Sequence, residues 1–211
     1  MVTQGDGTGA GSVVILNGAP RAGKSSIARA LQERWPTPLV NLGVDLTNGA
    51  TPAAYRPGMG LRPGGERPDL EDLVARLYRA LYDSVAAHCR HGLDVVVDVG
   101  HHDAYARPLG TLADAARRLE GLGALLVGVR CPLEVIMARR DAGGGGYARS
   151  GPGGEVPEPV RRWQREVHRP GIYDLEVDTS VMTPDECAER VLEHLGADRP
   201  PTALARLRAG A

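Results

Sequence analysis

The chain has 211 residues, 42% of them hydrophobic and 24% charged, enough apolar material for one domain with a sizeable core. Basic and acidic residues nearly cancel (25 and 26), so the positive surplus expected of a nucleic-acid or polyanion binder is missing. Three scattered cysteines without Cys-x-x-Cys spacing, a polar start and the lack of any apolar run of roughly 18 residues set aside secreted and membrane classes and lead us to expect a reducing cytoplasm.

Residues 1–12, polar and glycine-rich, are expected to be disordered. Val13-Val14-Ile15-Leu16-Asn17 is a β-branched apolar run of the kind buried on both faces of a parallel sheet. A glycine-rich turn leads into a helix over residues 25–35, with Ile27, Ala30 and Leu31 on one face and Pro36 and Pro38 to end it. A second strand is predicted over 39–44. Residues 46–68 are broken by Gly49, Pro52, Pro57, Gly58, Gly60, Gly64 and Gly65 and read as a short helix plus a loop or hairpin, a segment placed to frame an acceptor.

Residues 69–91 carry Leu70, Leu73, Leu77, Leu81 and Val85 at helical spacing, with Asp69 as a start and Gly92 as a stop. A strand over 94–98, a helix over 104–119, a strand over 124–129 and a proline-opened helix over 132–140 follow. The glycine runs at 143–146 and 151–154 mark a mobile loop, so residues 141–158 are read as a lid. A helix over 158–168, a fifth strand over 173–178 and a helix over 184–195 complete one α/β domain spanning 13–196, and residues 197–211 read as a flexible tail.

Gly18-Ala19-Pro20-Arg21-Ala22-Gly23-Lys24-Ser25, followed by Ser26, fits G-x-x-x-x-G-K-[ST] between a buried strand and a helix. Glycines there let successive backbone N–H groups turn toward a phosphate, and the helix N-terminus adds partial positive charge. Lys24 is placed for the terminal phosphates, and the Ser25 hydroxyl for Mg²⁺. The motif predicts binding of a nucleoside triphosphate and does not by itself separate a kinase from a GTPase or a motor.

Around this loop the sequence offers further carboxylates and cations. Asp45 follows the second strand and is read either as the base that takes a proton from an acceptor hydroxyl or as a helix cap. Asp98 ends the third strand and reads as a Mg²⁺ partner, directly or through water, or as a turn residue. His101 and His102 in the next turn are candidate substrate contacts or plain loop residues. Arg139 and Arg140 end a helix before the lid and Arg149 lies within it; such arginines neutralise charge on a transferring phosphoryl group, or form a solvated basic face. Thr179 and Ser180, just after the last strand, fall where an adenine-edge loop would lie. No aromatic platform for single-stranded nucleic acid is evident.

The chain resembles the chloramphenicol phosphotransferase family of phosphate-loop kinases. The likeness rests on Ile15-Leu16-Asn17-Gly18 with Ala22-Gly23-Lys24-Ser25, on Gly43-Val44-Asp45, on Val127-Gly128-Val129-Arg130-Cys131 and on Tyr173-Asp174-Leu175-Glu176-Val177-Asp178-Thr179. It implies a P-loop NTPase fold, a five-stranded parallel sheet flanked by helices as in shikimate and adenylate kinases. It also implies ATP- and Mg²⁺-dependent phosphorylation of a hydroxyl on an antibiotic, with Asp45 as the catalytic aspartate and Lys24 and Ser25 as the phosphate-loop pair. A metabolic kinase for a sugar, nucleoside or natural-product intermediate, and a nucleotide-dependent switch protein, are the competing readings. The expected partners are ATP and a small hydroxylated substrate, without nucleic acid or membrane.

Overall fold

The computed structural model describes residues 9–56, 67–143, 149–197 and 199–210. Five strands, β1 (Val13–Asn17), β2 (Leu39–Asn41), β3 (Asp94–Val99), β4 (Ala124–Arg130) and β5 (Leu175–Asp178), form one parallel sheet in the order β2-β3-β1-β4-β5. All five residues of β1 are buried, as its unbroken apolar run requires of a central strand. The register pairs Leu16 with Asp98 and Asn17 with Gly128, so the carboxyl ends of β1, β3 and β4 lie side by side. Strand order reverses at β1, and in open α/β sheets that crevice is where ligands sit.

Alternation along the strands divides the core in two. Val14 and Leu16 face α1 (Lys24–Arg34) and α7 (Pro184–Gly196), meeting Ile27, Leu31, Cys187 and Val191. Val13 and Ile15 face α3 (Glu71–Arg90) and α4 (Thr111–Arg118), meeting Tyr82, Val85 and Leu119. With no Phe in the chain, Tyr82 is the largest fully buried side chain. Among the described residues no helix is long and apolar enough to cross a membrane.

Several expected boundaries move, each for a local reason. β2 stops at Asn41 because α2 (Val44–Ala50) starts behind Gly43, which places Asp45 in a helix's first turn. The helix expected over 104–119 begins only at Thr111: Pro108 interrupts the run, and Gly110 caps the helix at φ 61, a left-handed conformation that glycine adopts without strain. Residues 69–91 open as a 3-10 turn, Pro68–Leu70, before α3 begins. Of the proposed lid, residues 141–142 end α5 (Leu133–Ala142), Pro152–Gly154 form a 3-10 turn, and α6 (Glu158–Glu166) follows. Residues 1–8, the glycines at 58, 60, 64 and 65, and those at 144–146 lie outside the described residues.

The largest correction is at the C-terminus. The expected flexible tail contains α8 (Ala203–Ala209), whose Ala203, Leu204 and Leu207 are buried against the α4 side of the core. Asp174 fixes it: one carboxylate oxygen accepts from the backbone N–H groups of Thr202 and Ala203 (2.7 and 2.8 Å), the other from Leu126 N–H at 2.9 Å. Pro200-Pro201 made the segment look detached, but prolines ahead of a helix are compatible with docking.

Asp94, the first residue of β3, does similar work at the other end of the sheet. It accepts from the Ser12 backbone N–H, Trp35 Nε1 and the Thr37 hydroxyl. Burial opposes its charge, but the donors from Thr37, Ser12 and Trp35 outweigh that and hold its pKa below the usual aspartate value. Replacing Asp94 with Ala is expected to cost about 1–3 kcal/mol in urea unfolding, because three donors lose their acceptor. The folded pKa is the lower one, so this stability is present above the unfolded value of about 3.9 and is lost as pH falls through the folded pKa. The parent should therefore lose stability on acidification more steeply than the variant.

Candidate active site

The phosphate loop occupies residues 18–25 between β1 and α1. Gly18 has no room for a side chain, since a Cβ would lie 2.5 Å from the Val129 carbonyl oxygen. Gly23 caps α1 at φ 97, and Arg21 holds φ 74, a left-handed conformation costly for a residue with a side chain. Ala19 and Ala22 are buried and anchor the loop in the core, while Gly18, Pro20, Arg21, Gly23, Lys24, Ser25 and Ser26 line a cavity of about 770 Å³. No acidic residue occupies the first turn of α1, so its dipole faces the cavity unopposed within that turn.

Lys24 is nearly buried. Its Nζ donates to the Ala19 carbonyl at 3.1 Å and lies 3.5 Å from Asp98 Oδ1. Ser25 Oγ donates to Asp98 Oδ2 at 2.6 Å. Asp98 is the penultimate residue of β3 rather than its end, and the sheet register delivers it beside the loop. A hydroxyl and a carboxylate so placed are hard oxygen donors that fit Mg²⁺ better than a thiophilic metal.

Asp45 lines the same cavity and is exposed to it. The cap of α2 is Gly43, whose N–H donates to Asn41 Oδ1 at 3.0 Å, so Asp45 is not the capping residue. Gly43 sits so close to β3 that a Cβ there would stand 3.0 Å from Asp98 Cβ, which lets the α2 start press against the Asp98 strand.

Arg139 and Arg140 also line the cavity. Arg139 acts as a clasp. Its Nη1 donates to Thr179 Oγ1 at 3.0 Å and to the Arg21 carbonyl at 3.3 Å, and its Nη2 donates to the Thr179 carbonyl at 2.7 Å. Thr179 Oγ1 donates in turn to the Ala22 carbonyl at 2.7 Å, and Arg21 Nη2 donates to the Arg139 carbonyl at 2.6 Å. Arg140, 4% exposed, approaches the Pro20 carbonyl at 3.5 Å.

Four expectations are corrected. Arg149 lies outside the cavity lining, exposed, with Nη2 donating to the Gly143 carbonyl at 3.2 Å. Ser180 also lies outside it, its hydroxyl donating to Asp178 at 2.6 Å, while Met182 and Pro184 line that end beside Thr179. His101 faces the core: its ring nitrogens pair with the Tyr82 hydroxyl (2.7 Å) and Thr111 Oγ1 (2.9 Å), and its N–H donates to Asn17 Oδ1 (2.7 Å). Burial, and then the neighbouring His102, push its pKa down to about 3. His102 is likewise buried behind the cavity wall rather than on it.

Sequence reasoning missed the far side of the cavity. Val44 on α2, Val74, Leu77, Tyr78 and Leu81 on α3, Tyr105 in the β3–α4 loop and Trp163 on α6 line it. Burial raises the pKa of the Tyr78 and Tyr105 hydroxyls, so both stay neutral. The lining cations, Arg21, Lys24, Arg139 and Arg140, all belong to the phosphate loop or α5; among the described residues the α2–α3 side presents none.

The model of the family described as chloramphenicol phosphotransferase-like protein matches residues 11–196. A Mycobacterium tuberculosis protein provisionally named O-phosphotransferase is 28% identical over 212 residues, covering 94% of this chain and 88% of its own length. The structure of Mycobacterium tuberculosis APS kinase in complex with AMPPNP and APS matches with a TM-score of 0.58 at 19% identity, over 90% of this chain and 99% of that one. Shikimate kinase from Aquifex aeolicus matches with a TM-score of 0.55 at 15% identity, over 87% of this chain and 96% of that one. The two structural likenesses establish a phosphate-loop kinase fold. With the matched family spanning nearly the whole described domain, the chain belongs to the chloramphenicol phosphotransferase-like family and is a phosphotransferase of the kinase type.

Proposed function

We propose that the protein transfers the γ-phosphoryl group of ATP to a hydroxyl of a small molecule, an antibiotic such as chloramphenicol or a related compound, in the cytoplasm, where its three cysteines stay free thiols. One observation supports this reading: Asp45 and the Lys24–Ser25–Asp98 group line a single cavity.

The acceptor hydroxyl oxygen attacks the γ-phosphorus as the bond to the β-bridging oxygen breaks and ADP leaves. Asp45 orients that hydroxyl and takes its proton. Loop amides and Lys24 hold the phosphates, and Arg139 and Arg140 offset the charge that spreads over the transferring group. Ser25 and Asp98 would hold Mg²⁺, which supplies further charge neutralisation on the phosphate oxygens. The far side of the cavity is mainly apolar and aromatic, with Thr47 and Asn48 of α2 as neutral polar groups, and among the described residues it lacks a cation, which favours an uncharged acceptor over one bearing a carboxylate or phosphate.

The test is a panel of hydroxylated acceptors (amphenicols, sugars, nucleosides) incubated with the protein, ATP and Mg²⁺ and read by mass spectrometry. An amphenicol-type compound should gain one phosphoryl group. Turnover of a sugar or nucleoside alone would move the reading to a metabolic kinase. Slow ATP hydrolysis that no acceptor alters would overturn the phosphotransfer reading.

A further inference from the structure

His102 is a buried imidazole, 4% exposed, and neither ring nitrogen has a hydrogen-bond partner among the described residues. No described protein group therefore fixes the ring by a hydrogen bond, and the ring also borders a small cavity of about 160 Å³ lined by Asp103, Thr111 and Arg169. What the ring does make is contact with aromatic neighbours on two separate segments. It stacks on Tyr105 of the β3–α4 loop, with centroids 4.3 Å apart and planes 29° from parallel. It meets Trp163 of α6 at 4.9 Å and 72°, an edge-to-face arrangement. Tyr105 and Trp163 both line the cavity, whereas His102 stands behind them.

The bases of these segments are tied to β1 by one side chain. Asn17, fully buried, accepts from the His101 N–H through Oδ1 (2.7 Å) and donates through Nδ2 to the Val167 carbonyl just past α6 (2.9 Å). Trp163 also packs over Gly100, where a Cβ would come within 3.4 Å of the indole and 3.1 Å of the Gly18 carbonyl oxygen. Backbone links therefore fix where the loop and α6 begin and end. The His102 ring joins them side chain to side chain at the level of the cavity.

We propose that His102 is a positioning residue for acceptor recognition: its ring is the spacer that sets Tyr105 and Trp163 at a fixed angle and makes one aromatic wall out of two segments. The proposal rests on the reading of that side of the cavity as the acceptor side. Burial pushes the His102 pKa down to about 4, so the spacer adds no charge behind the wall. Position 102 then requires a flat ring, not a base. Phe should serve there, and neither Ala nor Leu should.

The chain has two tryptophans and six tyrosines, so Trp35→Phe leaves Trp163 as the one indole, excited at wavelengths that tyrosine does not absorb. In that background His102→Ala should move Trp163 emission to longer wavelength and raise its acrylamide quenching about two-fold, as the indole loses its edge contact. Binding of a fluorescent ATP analogue should stay within about two-fold, because nothing in the phosphate loop is touched. His102→Phe should keep the parent's emission and quenching and melt close to the parent's temperature, since no described protein group loses a hydrogen-bond partner. For the acceptor phosphorylated by the parent, His102→Ala and His102→Leu should raise KM about ten-fold with kcat little changed, the signature of lost uniform binding, and His102→Phe should restore it. Parental emission in the Ala variant, a Leu variant as good as Phe, or a Phe variant that fails to keep the parent's emission would overturn the proposal. Failure of the kinase reading would look different: the parent itself would bind no nucleotide or transfer no phosphoryl group, and the fluorescence comparison would still stand.

Discussion

Asp45→Asn is expected to lower kcat by about a thousand-fold, the size of a lost general base, while the Kd for ATP changes by less than about two-fold. The split follows from position. Asp45 stands in the first turn of α2, lines the cavity together with Lys24 and Ser25, and makes no hydrogen bond to the phosphate loop among those described. Asn keeps the shape and the ability to orient a hydroxyl but cannot take its proton. Because the cap of α2 is Gly43, the substitution keeps the helix start, and the loss of a first-turn carboxylate should cost only about 0.3–1 kcal/mol of stability, far too little to explain the loss of turnover. Steady-state kinetics with nucleotide titration would check both halves, and near-normal turnover would remove Asp45 from the role of base.

Lys24→Met should act on the other substrate. Nζ is held by the Ala19 carbonyl and lies beside Asp98 on the cavity where the proposed reading puts the phosphates. Removing a charge so placed costs about a hundred- to a thousand-fold in kcat. Nucleotide affinity should fall as well, since on the proposed reading the lysine holds the phosphates in both the bound and the transferring state. Thermal shift provides an independent reading: saturating ATP at about a hundred times Kd should add about 2.7 kcal/mol to the stability of the parent, and much less to the variant at the same concentration.

The order of strands and helices was legible because β1 and β4 are largely apolar runs and α3 carries a clear 3.6-residue stripe; β5 (Leu-Glu-Val-Asp) and α2, which buries no residue, carry little of either signal. The phosphate loop was legible because its chemistry restricts residue type at every turn: Gly18 and Gly23 are required where backbone approaches backbone or adopts positive φ. Asp45 and Asp98 were findable from their places at strand ends, although the register, not the strand end itself, brings Asp98 to Ser25. The histidines were misread because exposure cannot be seen in a turn sequence. His101 and His102 are polar and loop-borne yet are packed into the interior by Tyr82, Thr111, Tyr105 and Trp163, partners up to 61 positions away in the chain. The aromatic wall was invisible for the same reason. Tyr78, Tyr105 and Trp163 are scattered along the sequence and meet only through the crossover geometry of the sheet. In α8 the Ala203, Leu204 and Leu207 pattern was present but was overruled by the two prolines before it.

The Arg139 clasp has a kinetic consequence. It binds the phosphate loop, the end of α5 and the end of β5 into one hydrogen-bonded ring through Arg21, Ala22 and Thr179. A loop held by bonds within the chain itself needs little further ordering when it captures nucleotide, on the proposed reading of this loop as the donor site. The rate of nucleotide uptake is then governed by collision and charge attraction rather than by a rearrangement of the loop, so uptake should slow with added salt and level off little, if at all, as nucleotide concentration rises.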